Sequence, residues 1–517
     1  MSNFSCYRGA FTPTVARMQL SQKQVDAWRK ARDFARQGKR QEAAQAFHKV
    51  LLLAPDHPHL LYEAGRAAIA VSDMPAAAKR LQKAARLAGQ DAKLLCGVGR
   101  ALMHIRKADE ARACFERAIQ ADGSGIDAIH ELVTSYERTG QKQKARECLD
   151  PYLQQFPNDP TARYLDAFLL QRSGQSADAE TILQQLVAGP PFKTRVYLSC
   201  FYLLADILDK SERYDEAMSQ LLRVKEMVLR NPDFETTLNH YDAGVAQRKL
   251  LLDQFTPELI RDWQSRDPFH PDDRKVAFLG GHPRSGTTLL ERVLDSHSEL
   301  TAFDEPAAFY RTVEPFLRRF GPDHPDLSKV TADYRKLLLL ETGGQCDSRV
   351  WLDKNPSLTA CLHSWLRTFP GLKVVIALRH PMDVMLSCFF LDSTMNALSA
   401  NFLSLERISK HYRDMMDVWL RLRDLGEFSW IESRYEDTVS HLADEGKRVT
   451  EFLGLDWQAE QGSFHQKKQQ TEVVAPTYHD VTKPVHQRSM QRWLRYEKHL
   501  TPQLDLLMPY MERLGYA

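Results

Sequence analysis

The chain has 517 residues, of which 26% are charged and 43% are hydrophobic, and its formal net charge is +2. That length is too great for one hydrophobic core and indicates two or three domains. The balanced charge argues against a general nucleic-acid binder, because such proteins carry a clustered basic surface. No segment approaches the roughly 20 uninterrupted apolar residues of a membrane-spanning helix, so no membrane span is predicted.

The N-terminal segment, residues 1–20, contains Arg8 and Arg17 but no apolar stretch like that of a secretory signal. We predict a flexible lead-in here and a cytoplasmic location for the protein. The eight cysteines are scattered through apolar contexts without C-x-x-C pairs, which is typical of reduced, buried thiols. No metal site is predicted.

A 34-residue repeat occupies the N-terminal half. Alanine recurs at this interval, and a large apolar residue follows each alanine by four positions. The alanines are Ala43, Ala77, Ala111, Ala145 and Ala179, and the large residues are Phe47, Leu81, Phe115, Leu149 and Leu183. Gly38, Gly140 and Gly174 fall where a turn would join two helices of one unit. Such a helix–turn–helix unit of 34 residues is the signature of the tetratricopeptide (TPR) repeat.

The repeat predicts an α-helical solenoid of five to six units over residues 21–250. A sixth unit, centred on Ala205, Ala217 and Leu221, requires a short insertion near Ala188. Each unit buries its apolar face on its neighbours, and the stack leaves a groove that usually binds peptides or protein segments. The array is therefore predicted to bind a protein or peptide.

A polar connector at 251–273 is predicted to separate the repeats from a second domain at 274–517. In that domain, strand-like runs at 275–280 and 373–378, and a weaker one at 429–432, alternate with helical runs such as 287–297. The alternation predicts an α/β domain with a parallel sheet. Ligands of such sheets bind at the carboxyl ends of the strands.

The segment from Gly281 to Thr288 reads G-H-P-R-S-G-T-T and lies between the first predicted strand and its helix. A strand, a glycine-bounded loop and a helix N-terminus place backbone N–H groups around an anion. The spacing matches the P-loop G-x-x-x-x-G-K-[ST], except that Thr287 replaces the lysine. The loop is therefore predicted to hold a phosphate-like group without serving ATP hydrolysis. His282, inside the loop, is expected to be a packing residue.

A second anion site is predicted from Arg379 and Ser387. Arg379 directly follows the strand-like run 373–378, and Ser387 lies eight residues further on, within a helical pattern. Arginine binds an anion through two N–H groups, and a serine hydroxyl can add a third donor. Taken alone, each residue is more often a surface cation or a capping hydroxyl.

With these two motifs, the C-terminal half resembles the sulfotransferase superfamily, most closely its tyrosylprotein sulfotransferase branch. Residues 283–289 resemble the 5′-phosphosulfate loop of that family, and residues 375–387 are similar to its 3′-phosphate motif. The resemblance covers residues 275–495 and implies 3′-phosphoadenosine 5′-phosphosulfate (PAPS) as the donor, 3′,5′-ADP as the product and no metal. The nucleotide-binding residues that it implies are Arg284, Ser285, Gly286, Thr287, Thr288, Arg379 and Ser387.

The same resemblance implies the catalytic residues. Glu305, in the segment F-D-E-P, aligns with the catalytic glutamate of the family and would take the proton of the acceptor hydroxyl, with Asp304 as the alternative. Lys354, in the segment D-K-N-P, matches a family lysine that stabilises charge on the leaving phosphate, and Arg284 would share this role. The simpler interpretations are an acidic loop residue for Glu305 and a surface lysine for Lys354.

Two further residues match the family more weakly. Tyr435 corresponds to a tyrosine that contacts the nucleotide, and Lys483 to a lysine that closes over it. The chain departs from the tyrosylprotein branch at Pro306-Ala307, where that branch has Thr-Arg and the arginine helps to read an acidic peptide. This departure weakens one implication of the resemblance, namely that the acceptor is a tyrosine in an acidic peptide.

We predict a PAPS-dependent sulfotransferase whose acceptor hydroxyl belongs to a protein or peptide tyrosine, a glycan or a small molecule. The TPR array would recruit the acceptor or a partner. The alternative is a TPR scaffold whose transferase domain binds nucleotide without catalysis. A P-loop kinase is disfavoured because the loop lacks its lysine. The TPR groove and the region 396–425 are each candidate surfaces for a homodimer.

Overall fold

A computed structural model describes residues 20–71, 73–231, 233–265, 275–320, 327–342, 346–393, 395–466 and 485–517 of the chain. The chain divides into two compact units, with the boundary after Ile207. The predicted lead-in, except for Leu20, lies outside the described residues. The domain boundaries predicted at residues 250 and 273 stay predictions.

The first unit is built from antiparallel helix pairs. Ten helices, α1 to α10, run from Gln22–Arg36, Arg40–Leu53, Pro58–Ala70, Met74–Leu87, Ala92–His104, Ala108–Ala121, Ile126–Arg138, Lys142–Gln155, Pro160–Arg172 and Ser176–Ala188. Each odd-numbered helix packs against the helix that follows it. Five pairs over this span agree with five repeats of 34 residues.

The repeated residues make the helix crossings of this unit. All five repeated alanines and all five large apolar residues are buried, among them Ala77 and Leu81 with no exposed surface. The turn glycines Gly38, Gly140 and Gly174 have positive φ angles of 73°, 73° and 88°. Residues with a Cβ rarely adopt this conformation, which explains why glycine recurs where the two helices of a pair join.

Four helices follow before the sheet. They are α11 to α14, at Thr194–Lys210, Tyr214–Leu229, Asp233–Leu252 and Pro257–Ser265. The predicted sixth repeat would consist of α11 and α12, and the division of the chain falls within α11. Helix α14 lies inside the predicted connector, where Ile260 and Trp263, at helical spacing, are both buried. The remaining connector residues, 266–274, are outside the described ranges.

The second unit contains a five-stranded parallel sheet. Strands β1 to β5 are Lys275–Gly281, Leu300–Asp304, Val350–Lys354, Lys373–Leu378 and Ser429–Arg434. Their order across the sheet is β2-β3-β1-β4-β5, and every neighbouring pair is parallel. The predicted arrangement of a helical TPR solenoid followed by an α/β domain with a parallel sheet is confirmed.

Twelve described α-helices follow β1 in the second unit. Helices α15 to α26 are Thr287–Asp295, Ala308–Arg311, Val313–Phe320, Ser328–Glu341, Leu362–Thr368, Pro381–Phe389, Leu405–Leu425, Tyr435–Ser440, Leu442–Leu453, Ala459–Gly462, Glu497–Leu500 and Leu504–Arg513. Short 3₁₀ helices lie at Pro356–Cys361, Ser399–Leu403, Phe464–Gln466, Arg492–Tyr496 and Thr501–Gln503. Within the described part of the chain, no helix is both long enough and apolar enough to span a lipid bilayer.

The strand order creates a crevice after β1. The chain passes from β1 to β2 and β3 on one side, and then returns to β4 and β5 on the other. Connections that leave a parallel sheet in opposite directions open a crevice at the carboxyl ends of the strands where they diverge. The loop that starts at Gly281 lies at this point.

Candidate active site

Two glycines allow the loop after β1 to turn tightly. Gly281 has a φ angle of 127°, and a Cβ added there would collide with the backbone oxygen of Ala377 on β4. Gly286 has a φ angle of 89°, and a Cβ there would lie 2.5 Å from Cδ2 of Tyr435. Arg284, between them, has a positive φ angle of 77°, which is uncommon for a residue with a side chain. The loop therefore holds its backbone in a conformation that few other residues could adopt.

Thr359 holds the start of this loop in place. The Gly281 N–H donates to Thr359 Oγ1 over 2.7 Å, and the Thr359 hydroxyl donates to the Gly281 carbonyl oxygen over 3.0 Å. Thr359 is fully buried in the 3₁₀ helix Pro356–Cys361, which follows β3. Both polar groups of the Gly281 backbone are thus satisfied by one side chain.

Replacement of Thr359 by valine should destabilise the second unit. The change keeps the shape of the side chain but leaves the buried Gly281 N–H without an acceptor, which costs about 1–3 kcal/mol. The expected result is a lower melting temperature of the full chain in calorimetry. Thr359→Ser, which keeps the hydroxyl, is the matched control, and equal stability of the two variants would contradict the role of this hydroxyl.

The two residues of the predicted second anion site lie beside the loop. Arg379 follows β4 and Ser387 lies on α20, and Arg284 Nε donates to Ser387 Oγ over 3.0 Å. Arg379 Nη1 donates to the Arg284 carbonyl oxygen over 3.2 Å, and its guanidinium lies 4.7 Å from the centre of the Tyr435 ring. Arg379 Nη2 donates to the Ser489 carbonyl oxygen over 2.5 Å. Four residues predicted to bind nucleotide are therefore linked in one chain of contacts, from Ser387 through Arg284 and Arg379 to Tyr435.

One N–H group of the Arg379 side chain is not used in the contacts described above. Its Nε atom is buried and has no hydrogen-bond acceptor among the described residues. An N–H group of a cation in this condition fits an anionic oxygen, because a charge-assisted hydrogen bond would satisfy it. The donor set around Arg379 thus suits a phosphate.

The other predicted loop residues lie around the start of α15. Thr287 and Thr288 are its first two residues, and Gly286 precedes them. Ser285 is buried, and its N–H donates to the His282 carbonyl oxygen over 3.1 Å. The positive end of the helix therefore faces the loop. Lys483 lies outside the described residues.

Lys354 is surrounded by carboxylates at the carboxyl end of β3. Its Nζ donates to Asp304 Oδ1, at the end of the neighbouring strand β2, and to Glu305 Oε1 over 3.2 Å. Glu291, on α15, brings a third carboxylate, whose Oε2 is 3.6 Å from Nζ. Burial by itself would lower the pKa of Lys354, but Glu291, Glu305 and Asp304 together raise it, so the side chain carries a positive charge.

Asp304 and Glu305 differ in their access to solvent. The Asp304 side chain is 12% exposed and that of Glu305 is 52% exposed, whereas Lys354 is fully buried. Glu305 has a positive φ angle of 50°, while its N–H donates to the Lys354 carbonyl oxygen over 2.8 Å. A non-glycine residue held in this conformation is a common feature of functional sites. Of the two candidates, Glu305 has the more accessible carboxylate.

His282 is a buried residue with a specific partner. Its Nε2 is 2.7 Å from Nδ1 of His411 on α21, and its Nδ1 is 2.7 Å from the Pro283 carbonyl oxygen. The carbonyl can only accept, so His282 donates from Nδ1 and accepts from His411 at Nε2. Burial lowers the pKa of His282 to about 4. The pair is therefore neutral near pH 7, and its two hydrogen bonds connect the loop to α21.

Sequence reasoning missed three of these residues: Glu291, Thr359 and His411. For Glu291 a signal was present, because it shares the spacing of the buried Thr287, Leu290 and Leu294 on the inner face of α15. Thr359 and His411 lie 78 and 129 residues from their partners. Nothing in the local pattern marks such distant pairs.

The structure is an α/β domain with a glycine-bounded loop after β1 and a lysine–carboxylate cluster at the carboxyl edge of its sheet. Residues 277–459 match a family model described as the sulfotransferase family, and residues 29–92 and 62–126 match a tetratricopeptide repeat model. The chain thus contains a sulfotransferase-family domain preceded by TPR repeats. The resemblance predicted from the motifs is confirmed.

Individual relatives are distant. An uncharacterised protein of Aquifex aeolicus is 24% identical over 434 residues, which are 80% of this chain and 54% of that protein. Protein-tyrosine sulfotransferase A of Caenorhabditis elegans is 22% identical over 263 residues, covering 46% of this chain and 66% of the enzyme. Among solved structures, the sulfotransferase domain of the Synechococcus PCC 7002 olefin synthase is 20% identical, with a TM-score of 0.31 over 44% of this chain and 90% of that domain. The chain thus spans about half of the Aquifex protein and two thirds of the worm enzyme.

Proposed function

We propose that this protein is a PAPS-dependent sulfotransferase that transfers the sulfuryl group to an acceptor hydroxyl. The observation that carries the proposal is the meeting of an anion loop, an arginine–serine site and a lysine–carboxylate pair at one edge of the sheet. β1 lies between β3 and β4, so Lys354, at the end of β3, and Arg379, just after β4, flank the loop. A nucleotide that carries anionic groups at both its 5′ and its 3′ positions requires two groups of donors, such as the loop and the arginine–serine site.

The proposed binding roles follow from the donors that are present. The backbone N–H groups from Gly286 to Thr288, with the start of α15, suit the 5′-phosphosulfate, since the Ser285 N–H already donates to the His282 carbonyl oxygen. Arg379 and Ser387 suit the 3′-phosphate, with Tyr435 held against Arg379 by a cation–π contact. Lys483 is proposed from the family resemblance alone. No metal ion is part of this proposal.

The proposed chemical roles divide between Glu305, Lys354 and Arg284. As the acceptor oxygen forms its bond to sulfur, the Glu305 carboxylate accepts the proton of the hydroxyl. The bond between sulfur and the phosphate oxygen breaks, and that oxygen gains negative charge. Lys354 and Arg284 stabilise this charge, which is the main contribution that a site of this kind makes to rate.

The TPR array is proposed to recruit the acceptor or a partner protein. Repeats of this type stack into extended surfaces that bind protein segments. A cytoplasmic location and a homodimer, formed through the array or through the region 396–425, remain predictions.

Nucleotide preference tests the proposal. Calorimetric titration of the full chain should show that 3′,5′-ADP binds at least tenfold more tightly than ATP with Mg²⁺, since the loop lacks the lysine that reaches a γ-phosphate. A preference for ATP would contradict both the transferase and the nucleotide-binding scaffold. Transfer of labelled sulfate from PAPS to a library of hydroxyl compounds then separates the enzyme from the scaffold, which would bind nucleotide without transfer.

A further inference from the structure

A buried carboxylate with no role so far lies one turn into the helix that follows the loop. The side chain of Glu291 is only 3% exposed. Its Oε2 accepts no hydrogen bond from the described residues, because the distance of 3.6 Å to Lys354 Nζ is too long for one. An ionised oxygen buried without a donor is energetically costly. Glu291 is therefore the carboxylate in the site that gains most from protonation.

Among the described residues, the charged groups that contact Lys354 do not balance its charge. One ammonium group faces three carboxylates, those of Glu291, Asp304 and Glu305. With all three ionised, the cluster has a net negative charge at the sheet edge that receives an anionic nucleotide in the proposed function. Like charges repel strongly where water is excluded, and a new anion raises the pKa of nearby acids.

We propose that Glu291 takes up one proton from solvent when the nucleotide binds, so that the Lys354 ammonium is less neutralised and can serve the leaving phosphate oxygen. This inference rests on the proposed function. The proton adds to a carboxylate oxygen of Glu291, and no other covalent bond changes. Glu291 acts through Lys354 and is a positioning residue.

The electrostatics of the ligand-free protein support this coupling. Burial raises the pKa of Glu291 to about 7, against the attraction of Lys354. Both forms of the carboxylate are thus populated near neutral pH. The charged groups that act on it are Lys354 from β3, Asp304 from β2, and Arg292 and Asp295 from its own helix. On α23, which also packs on α15, the buried Glu445 is paired with Arg448.

The sign of the pH effect follows from linkage. A bound anion raises the pKa of Glu291 further, so the nucleotide binds the protonated form more tightly. The affinity for the nucleotide should be highest at a pH below the pKa of Glu291 in the nucleotide-free protein, which is about 7. It should fall as the pH rises through that pKa. Proton uptake should be greatest just above that pH.

The test is calorimetric titration of 3′,5′-ADP into the full chain at about pH 6.5, 7.5 and 8.5, in buffers of different ionisation enthalpy. For the wild type we expect uptake of up to one proton and a Kd about tenfold higher at pH 8.5 than at pH 6.5, measured relative to Glu291→Gln. The neutral amide imitates the protonated acid, so this variant should bind well at all three pH values. Ionisation of the nucleotide itself is common to both proteins and cancels in the comparison.

Asp304→Asn and Glu305→Gln are the matched controls, because each removes another carboxylate beside Lys354. Proton uptake that persists in Glu291→Gln, or is lost in Glu305→Gln, overturns the inference. Asp304 helps to raise the pKa of Glu291, so Asp304→Asn should move the uptake to lower pH without abolishing it. If Glu291→Gln does not fold, retention of uptake in both controls supports Glu291, and its abolition in either refutes it. Wild-type protein that binds no 3′,5′-ADP refutes the proposed function itself, whereas binding without a pH-dependent difference refutes only the coupling.

Discussion

Glu305→Gln should lower kcat for sulfate transfer by about 10²–10⁴-fold, the usual contribution of a positioned general base. The amide cannot accept the proton of the acceptor hydroxyl as the new oxygen–sulfur bond forms. Glu305 is the half-exposed carboxylate beside Lys354, and its backbone is held at a φ angle of 50°. The Kd for 3′,5′-ADP should stay within about threefold of the wild type, because Glu305 itself makes none of the proposed phosphate contacts. The measurements are transfer from labelled PAPS and calorimetric binding.

Asp304→Asn is the decisive comparison for this prediction. Asp304 is the adjacent residue, is largely buried, and accepts a hydrogen bond from Lys354. Its replacement should disturb the position of Lys354 and lower kcat, but measurable transfer should remain because Glu305 is still present. If Asp304→Asn abolishes transfer and Glu305→Gln leaves kcat unchanged, the base is Asp304 and the proposed role of Glu305 is wrong.

Arg379→Ala should weaken binding of 3′,5′-ADP by about 10- to 100-fold, since a hydrogen bond to a charged group contributes about 1.5–3 kcal/mol. The alanine removes the buried Nε donor that no described residue uses, together with the cation that packs on Tyr435. Binding of adenosine, which has no phosphate, should be affected far less. Calorimetric titration of both ligands measures the difference.

Two variants show whether this loss comes from phosphate recognition. Ser387→Ala removes a neutral hydroxyl and should cost about three- to tenfold in affinity. Arg379→Lys keeps the charge but loses the two-pronged donor, so its affinity should fall between those of wild type and Arg379→Ala. Arg379 also binds the Ser489 carbonyl oxygen, so each variant needs a melting temperature close to that of wild type. Equal affinity of wild type and Arg379→Ala would exclude a phosphate site here.

The repeats and the central strands could be predicted because their signals are local. Each TPR unit buries its alanine and its large apolar residue against neighbours close in sequence, so the 34-residue period is visible directly. After their first residue, a lysine in each case, β1 and β4 are buried on both faces, which produces the apolar runs at 276–279 and 374–378. The glycine-bounded loop was evident for a similar reason, because its backbone requires glycine at two positions.

Strands β2 and β3 were not predicted, although they carry the carboxylates and the lysine of the site. Both have five residues, β2 lies at the sheet edge, and β3 ends in two charged residues, Asp353 and Lys354. Charged residues in a sequence usually indicate an exposed loop, so a strand that ends in two charged residues is not recognised unless the partners that neutralise them are known. Tyr334, which donates to Asp353 over 2.7 Å, and Glu291, which faces Lys354, come from distant helices.

The two kinds of architecture, the glycine-bounded loop and the family resemblance could be read from the amino-acid sequence, because they depend on periodicity and on short-range backbone demands. The contacts between the site residues arise from the tertiary fold. Parallel pairing brings Lys354 beside Asp304, the packing of α15 adds Glu291, and α21 supplies His411 behind the loop. Such contacts join residues dozens of positions apart, and their charge states depend on burial that exists only once the chain has folded.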